Sequence, residues 1–222
     1  CDRDRLSARG QLAAGQTAAL VWEQAVHGLS GLNFWMTKEP MVNPPLAAIK
    51  LAIDSVADIL MPRPRIKGPV ALLYPFESTH GLGHSWDPDG SYSNLMDWYT
   101  GLVFRQASPD VLSCRQLLAG APSRYPVIFA PGCRLVRAGG TASLLRWVES
   151  GGILIVDRES CLMEDARYPV RAPEGLWGRA SSPADALGLT RYDRGKGRIY
   201  RAAERPGFEK AGVIAARILD EG

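Results

Sequence analysis

Three stretches of this chain are apolar at consecutive positions: residues 70–74 (VALLY), 126–130 (PVIFA) and 152–156 (GILIV). A strand with one wet face alternates apolar and polar residues. A strand that is apolar throughout must be covered on both faces. Helical patterns separate these runs. Residues 92–103 place Tyr92, Leu95, Met96, Tyr99, Leu102 and Val103 at helical steps, and residues 138–149 bury Leu144, Leu145 and Val148. Such alternation predicts an α/β fold, a doubly wound and mostly parallel sheet joined by right-handed crossovers. A long polar loop is expected over 75–90, a short strand over 110–113 and a helical turn over 115–118. Residues 158–186 read as irregular, 197–201 as a late strand and 208–219 as a closing helix with Ile214 and Ile218 inward.

The first third has a different texture. Residues 11–27 read as a helix stopped at Gly28, and 32–36 (LNFWM) as a short apolar-aromatic strand. Leu46, Ile49, Ile53, Val56 and Leu60 then mark an amphipathic helix over 45–60. Between the two parts, Pro62, Pro64 and Pro69 alternate with Arg63, Arg65 and Lys67, the composition of an extended linker. The expected organisation is residues 1–62, a linker at 63–69, and a domain at 70–222.

Composition excludes several classes. At 222 residues, 46% hydrophobic and 22% charged, the chain is globular rather than disordered. A net charge of +3 is too weak to argue for nucleic acid, and four cysteines are too few for a disulfide scaffold. No apolar run approaches the ~18 residues of a membrane span. The first residue, Cys1, is expected to mark a cut from a longer, cytoplasmic chain; a lipoprotein anchored through Cys1 is the alternative.

The candidate chemistry is sparse. After the strand at 70–74 comes Pro75-Phe76-Glu77-Ser78-Thr79-His80-Gly81-Leu82-Gly83, which is no phosphate loop: its glycines come late and Glu77 repels phosphate. His80 and His84 are four apart, a metal-ligand spacing on a helix, with Asp87 and Asp89 nearby. Gly81 and Gly83 argue instead for a solvated loop, and neither metal nor other cofactor is expected. Cys133 and Cys161 follow apolar strands, where a thiol can become a nucleophile. No histidine follows His84, so both are expected to be buried or idle. Glu23, Glu39 and Glu149 do not form the carboxylate pair of a glycosidase, so no catalytic residue is assigned. Trp35 could stack on a sugar or belong to a core.

The pieces from residue 70 onward resemble one family in their order and spacing. VALLYPFES at 70–78, YPVIFAP at 125–131, LLRWVESGGILIV at 144–156 and GKGRIY at 195–200 are similar to the trimerisation domain of family 42 glycoside hydrolases, the β-galactosidase type. That resemblance implies a class I glutamine amidotransferase-like (flavodoxin-like) fold without the catalytic triad, over roughly residues 68–220. It also implies that residues 1–62 are the last helix, strand and helix of a (β/α)₈ barrel, with Trp35 and Glu39 in contact with substrate. Here Glu39 is a weak match, and the histidine expected in that loop is absent. The two catalytic glutamates would lie upstream of Cys1. The implied role is self-association as a trimer that walls a neighbour's carbohydrate site. Two alternatives stand beside it: an amidotransferase-like enzyme using Cys133 or Cys161, and a sugar-binding module using Trp35, Trp86 and Trp98.

Overall fold

The structure is a computed structural model that describes residues 68–81, 90–164 and 175–220. The chain divides after Ile66 into two units, and the described residues all belong to the second, Lys67–Gly222. The segment 1–62, with Trp35 and Glu39, lies outside the described residues, as do linker residues 63–67.

Six strands form one sheet: β1 (Val70–Leu73), β2 (Asp110–Leu112), β3 (Val127–Ala130), β4 (Ile153–Val156), β5 (Leu189–Arg194) and β6 (Gly197–Ala202). Their order is β2-β1-β3-β4-β6-β5. The pairings are parallel except β5–β6, which is antiparallel. The helices are α1 (Phe76–Gly81), α2 (Ser91–Phe104), α3 (Cys114–Leu118), α4 (Gly140–Glu149) and α5 (Phe208–Asp220), with a 3₁₀ turn at Ala121–Arg124.

Every residue of β1, β3 and β4 is buried, as their unbroken apolar runs require. The pleat sends alternate side chains to opposite layers. Ala71, Leu73, Ile128, Leu154 and Val156 pack with Leu117 of α3 and with Leu144, Trp147 and Val148 of α4. Val70, Leu72, Phe129, Ile153 and Ile155 pack with Leu95, Trp98 and Leu102 of α2 and with Ile214 and Ile218 of α5. Helices therefore cover both faces, and the expected mostly parallel α/β sheet is present.

Local chemistry explains the element ends. Ser113 caps α3 reciprocally: its Oγ accepts the Gln116 N–H at 3.3 Å, and Gln116 Oε1 accepts the Ser113 N–H at 2.9 Å. The helix thus begins at Cys114, one residue ahead of expectation. Pro75 precedes α1 and its carbonyl accepts the Thr79 N–H at 2.9 Å, while Glu77 sits in the first turn, where the helix dipole favours an acid. The loop expected from residue 75 is therefore helical through Gly81.

Two further expectations are corrected. Met96 and Val103 are exposed, and the buried stripe of α2 runs through Leu95, Trp98 and Leu102. The Trp98 indole centres that stripe, its ring 5.1 Å from Phe129. Second, the sequence pattern gives no strand immediately before residue 197, whereas β5 precedes it. Leu189–Arg194 pairs with β6 through a two-residue turn at Gly195-Lys196, where Gly195 has φ +59°.

The layer of α2 and α5 depends on a close helix crossing. A methyl group on Gly101 would lie 2.6 Å from both the Gly212 nitrogen and the Phe208 carbonyl oxygen. Gly101→Ala is expected to lower stability by about 1–3 kcal/mol despite alanine's better helix propensity, because the two backbones must separate. Gly207→Ala, where an added methyl meets nothing within 4 Å, should change stability by less than about 0.5 kcal/mol. Urea denaturation of both variants checks this.

Candidate functional site

Ligand sites in open parallel sheets gather at the carboxyl ends of the strands. Here that edge carries α1 after β1, Gly132 and Cys133 after β3, and Asp157 after β4. Asp157 is fully buried. Its carboxylate accepts the N–H groups of Gly132 at 3.1 Å, Glu159 at 3.0 Å and Ser160 at 2.9 Å. The Asn94 side-chain amide, brought in by α2, donates to it at 2.7 Å. The Ser160 hydroxyl lies 2.8 Å from Asp157 Oδ1 and also within reach of the Ala130 carbonyl.

These donors occupy both carboxylate oxygens, so Asp157 ties together the ends of β3, β4 and α2 rather than presenting a general base. The second junction is Ser78 of α1, whose Oγ accepts the Leu135 N–H at 2.9 Å. Glu159 is half-buried beside this network and accepts a longer bond from Asn94 at 3.4 Å. Burial pushes the Glu159 carboxyl up, and the Asp157 charge adds to the effect, against Arg134 and Arg205. The Asn94 Oδ1 and Glu77 Oε2 atoms are buried without a hydrogen-bond partner.

The thiols at this edge are closed off. Cys133 is wholly buried, with Sγ 3.7 Å from the Leu73 carbonyl and 3.6 Å from that of Pro131. Burial drives its thiol well above the ordinary range, and the charges of Cys114, Asp157 and Glu77 act in the same direction. Cys114 is pushed up to about 12, chiefly by burial, with Glu77 adding and Arg137 opposing. Cys161 is buried too. Neither Cys133 nor Cys161 is placed as an exposed, activated nucleophile. Leu162, next to Cys161, adopts a left-handed φ of +50° while its N–H bonds the Cys133 carbonyl at 2.9 Å.

The other sequence candidates fall as follows. Trp98 is buried in the core at 1% exposure, so its assignment as a sugar-stacking residue is corrected. His80 lies on helix α1, not in a loop, while His84, Trp86, Asp87 and Asp89 lie outside the described residues. Trp35 and Glu39 lie outside them as well. Among the described residues, no group of three or more His, Cys, Asp or Glu side chains could hold a metal ion. Among the same residues, no helix is long and apolar enough to cross a membrane. Sequence reasoning missed the Asp157–Asn94–Ser160 network, whose members come from separate elements. The signal available was an aspartate directly after an apolar strand.

No family model matches this sequence, and no curated protein sequence matches it. Solved structures do. A β-galactosidase from Bacillus circulans sp. alkalophilus matches with a TM-score of 0.65 at 18% identity, over 83% of this chain and 35% of that one. A cold-adapted β-galactosidase from Rahnella sp. R3 matches with a TM-score of 0.60 at 16% identity, over 82% and 35%. An exo-carrageenase of glycoside hydrolase family 42 from Bacteroides ovatus matches with a TM-score of 0.61 at 15% identity, over 94% and 28%. The chain spans about a third of the length of these structures. It shares a fold with part of the family 42 β-galactosidases.

Two measurements probe this edge. At pH 8 the Cys114 thiol should react with a soluble thiol reagent on the order of a thousandfold more slowly than a free cysteine, because so little of it is thiolate. Peptide mapping of the labelled native chain reads this, and rapid labelling of Cys133 or Cys161 would revive a thiol enzyme. Glu159→Gln keeps an acceptor for Asn94 and removes a carboxyl whose folded pKa is raised. The native state then holds its proton to higher pH, so wild-type stability falls as pH rises past the unfolded value of ~4.3. The variant should melt higher than wild type at pH 7, with the gap closing below about pH 4.

Proposed function

We propose that this chain is the C-terminal portion of a β-galactosidase-like glycoside hydrolase, and that its α/β unit serves subunit association and walls an active site carried elsewhere. The observation that carries this reading is the fold. It recurs as about a third of the length of β-galactosidase chains, while 83% of this chain is covered. The closed carboxyl edge of the sheet supports it, since Asp157 is occupied by the fold's own donors and the thiols after β2, β3 and β4 are buried. In the parent enzyme one carboxylic acid would protonate the glycosidic oxygen and another would attack the anomeric carbon. On this reading both come from earlier strands of the barrel whose last elements are the segment 1–62.

Association has a candidate surface. Phe104 is 73% exposed at the end of α2, and Phe208, 43% exposed, opens α5. Their rings lie 6.0 Å apart, with exposed Val103 in the same turn of α2. This exposed aromatic pair is the part of the described surface that we assign to a partner. The proposed partner is a further copy of the chain, in a trimer.

The purified chain should hydrolyse no aryl β-galactoside, and measurable turnover would sink the assignment of catalysis to another segment. Sedimentation velocity should show self-association that Phe104→Asp weakens by about tenfold or more, as loss of a buried aromatic anchor does. A monomeric wild type at high concentration would remove the association role.

A further inference from the structure

The layer of α3, the 3₁₀ turn and α4 carries charge of one sign on its outer surface. Residues 113–126 and 137–151 contain four arginines, Arg115, Arg124, Arg137 and Arg146, no lysine, and Glu149 as their single acid. Glu149 is already held by Arg194 of β5 at 2.9 Å. All four arginines are exposed. Among the described residues, no carboxylate pairs with any of them, and none of their guanidinium groups has a hydrogen bond. The opposite layer is balanced: over 91–105 and 208–220, Asp97, Glu209 and Asp220 stand among Arg105, Lys210 and Arg217. We propose that the arginine face binds an anionic polysaccharide, a chain of sulfated or uronate sugars, through Arg115, Arg137, Arg124 and Arg146.

Packing gathers the four into two pairs. The Arg137 backbone N–H donates to the sulfur of Cys114, the neighbour of Arg115. The Trp147 indole N–H donates to the Tyr125 carbonyl at 3.3 Å, and these two residues adjoin Arg146 and Arg124. The helices that carry the pairs are themselves in contact. Ser143 Oγ donates to the Leu117 carbonyl at 3.4 Å, and a methyl group on Gly139 would lie 3.5 Å from Leu118 Cδ2. Leu118, exposed at the end of α3, adds an apolar contact for the C–H face of a sugar. The acids that approach this layer from other elements are engaged. Glu77 bonds the Cys114 thiol and has its Oε2 buried, and Glu164 Oε1 accepts the Thr141 N–H at 3.3 Å.

The arrangement selects the ligand. The two pairs are set apart by roughly the length of α3, about 8 Å for its five residues. That spacing exceeds the reach of one small oxyanion and fits charges repeated along a chain. Guanidinium forks grip sulfate or carboxylate oxygens bidentately and are more weakly hydrated than ammonium groups, which accords with a face built from arginine without lysine. Four unpaired cations on an exposed face draw in a polyanion and release its counterions on contact. The choice of a sugar polymer rests on the reading of the chain as part of a glycoside hydrolase; the preference for a polyanion rests on the arginines alone.

The test titrates the full chain calorimetrically at low ionic strength with dextran sulfate, oligogalacturonate, neutral dextran and a DNA duplex. At least one anionic polysaccharide should saturate, with dextran inert, and the one that binds distinguishes sulfate from carboxylate. Raising salt from ~50 to ~200 mM should weaken that binding by about tenfold or more. Arg124→Gln with Arg146→Gln, and separately Arg115→Gln with Arg137→Gln, should each weaken it by about tenfold or more, the loss of two charge-assisted contacts. Arg205→Gln with Lys210→Gln removes the same charge from the opposite layer, where Arg205 pairs with Asp97, and should change the affinity by less than about twofold. Thermal melting verifies that the variants fold. The proposal is overturned if neither anionic polysaccharide binds, if dextran binds equally well, if the duplex binds more tightly than both, or if the Arg205 and Lys210 changes weaken binding as much as the arginine pairs do. Turnover and sedimentation are read separately, so failure here leaves the glycoside hydrolase reading standing.

Discussion

The structure depends on strands that have no wet face. All four residues of β1, of β3 and of β4 are buried, so a helical layer on one side alone would leave half of each strand in water. Burying an apolar side chain of this size contributes roughly 1.5–3 kcal/mol, and the central strands supply such side chains to both layers. This requirement fixes where α3 and α4 lie, and where α2 and α5 lie. It also explains why α2 and α5 approach closely enough to need glycine at Gly101.

The same burial shapes the chemistry at the carboxyl edge. A polar atom that close to a doubly covered sheet must be paired or it destabilises the fold. Asp157 answers with donors from Gly132, Glu159, Ser160 and Asn94, and Ser78 answers with the Leu135 backbone. What would be a binding edge in a nucleotide-binding relative of this architecture is here a set of structural junctions.

Much of the fold was legible because periodicity is local. The three apolar runs became β1, β3 and β4, the late strand became Gly197–Ala202, and α4 and α5 match their expected spans within two residues. The misreadings have physical causes. Two late glycines suggested that α1 was a loop, but Pro75 and Glu77 are good openers and carry it to Gly81. In β5, charged residues at Arg191, Asp193 and Arg194 hid a strand that pairs on one side with β6. Trp98 offers a flat ring of the kind that stacks on sugars, yet its place in the Leu95–Leu102 stripe makes it core. The candidate sites were less legible, because Asn94 meets Asp157 across 63 residues, and Arg217 meets Asp185 across 32.

The sequence by itself determined that this chain forms a covered α/β sheet, since consecutive apolar residues admit no other environment. It also determined that no histidine follows His84, which removes the usual base for Cys133 and Cys161. Only the tertiary structure decided that those thiols are buried and that Asp157 is occupied by the fold's own donors. It alone decided that Arg191, Arg198 and Arg217 line one groove. The reason is that apolar periodicity is written along the chain, whereas the pairing of polar groups is set by strand order, register and helix crossing.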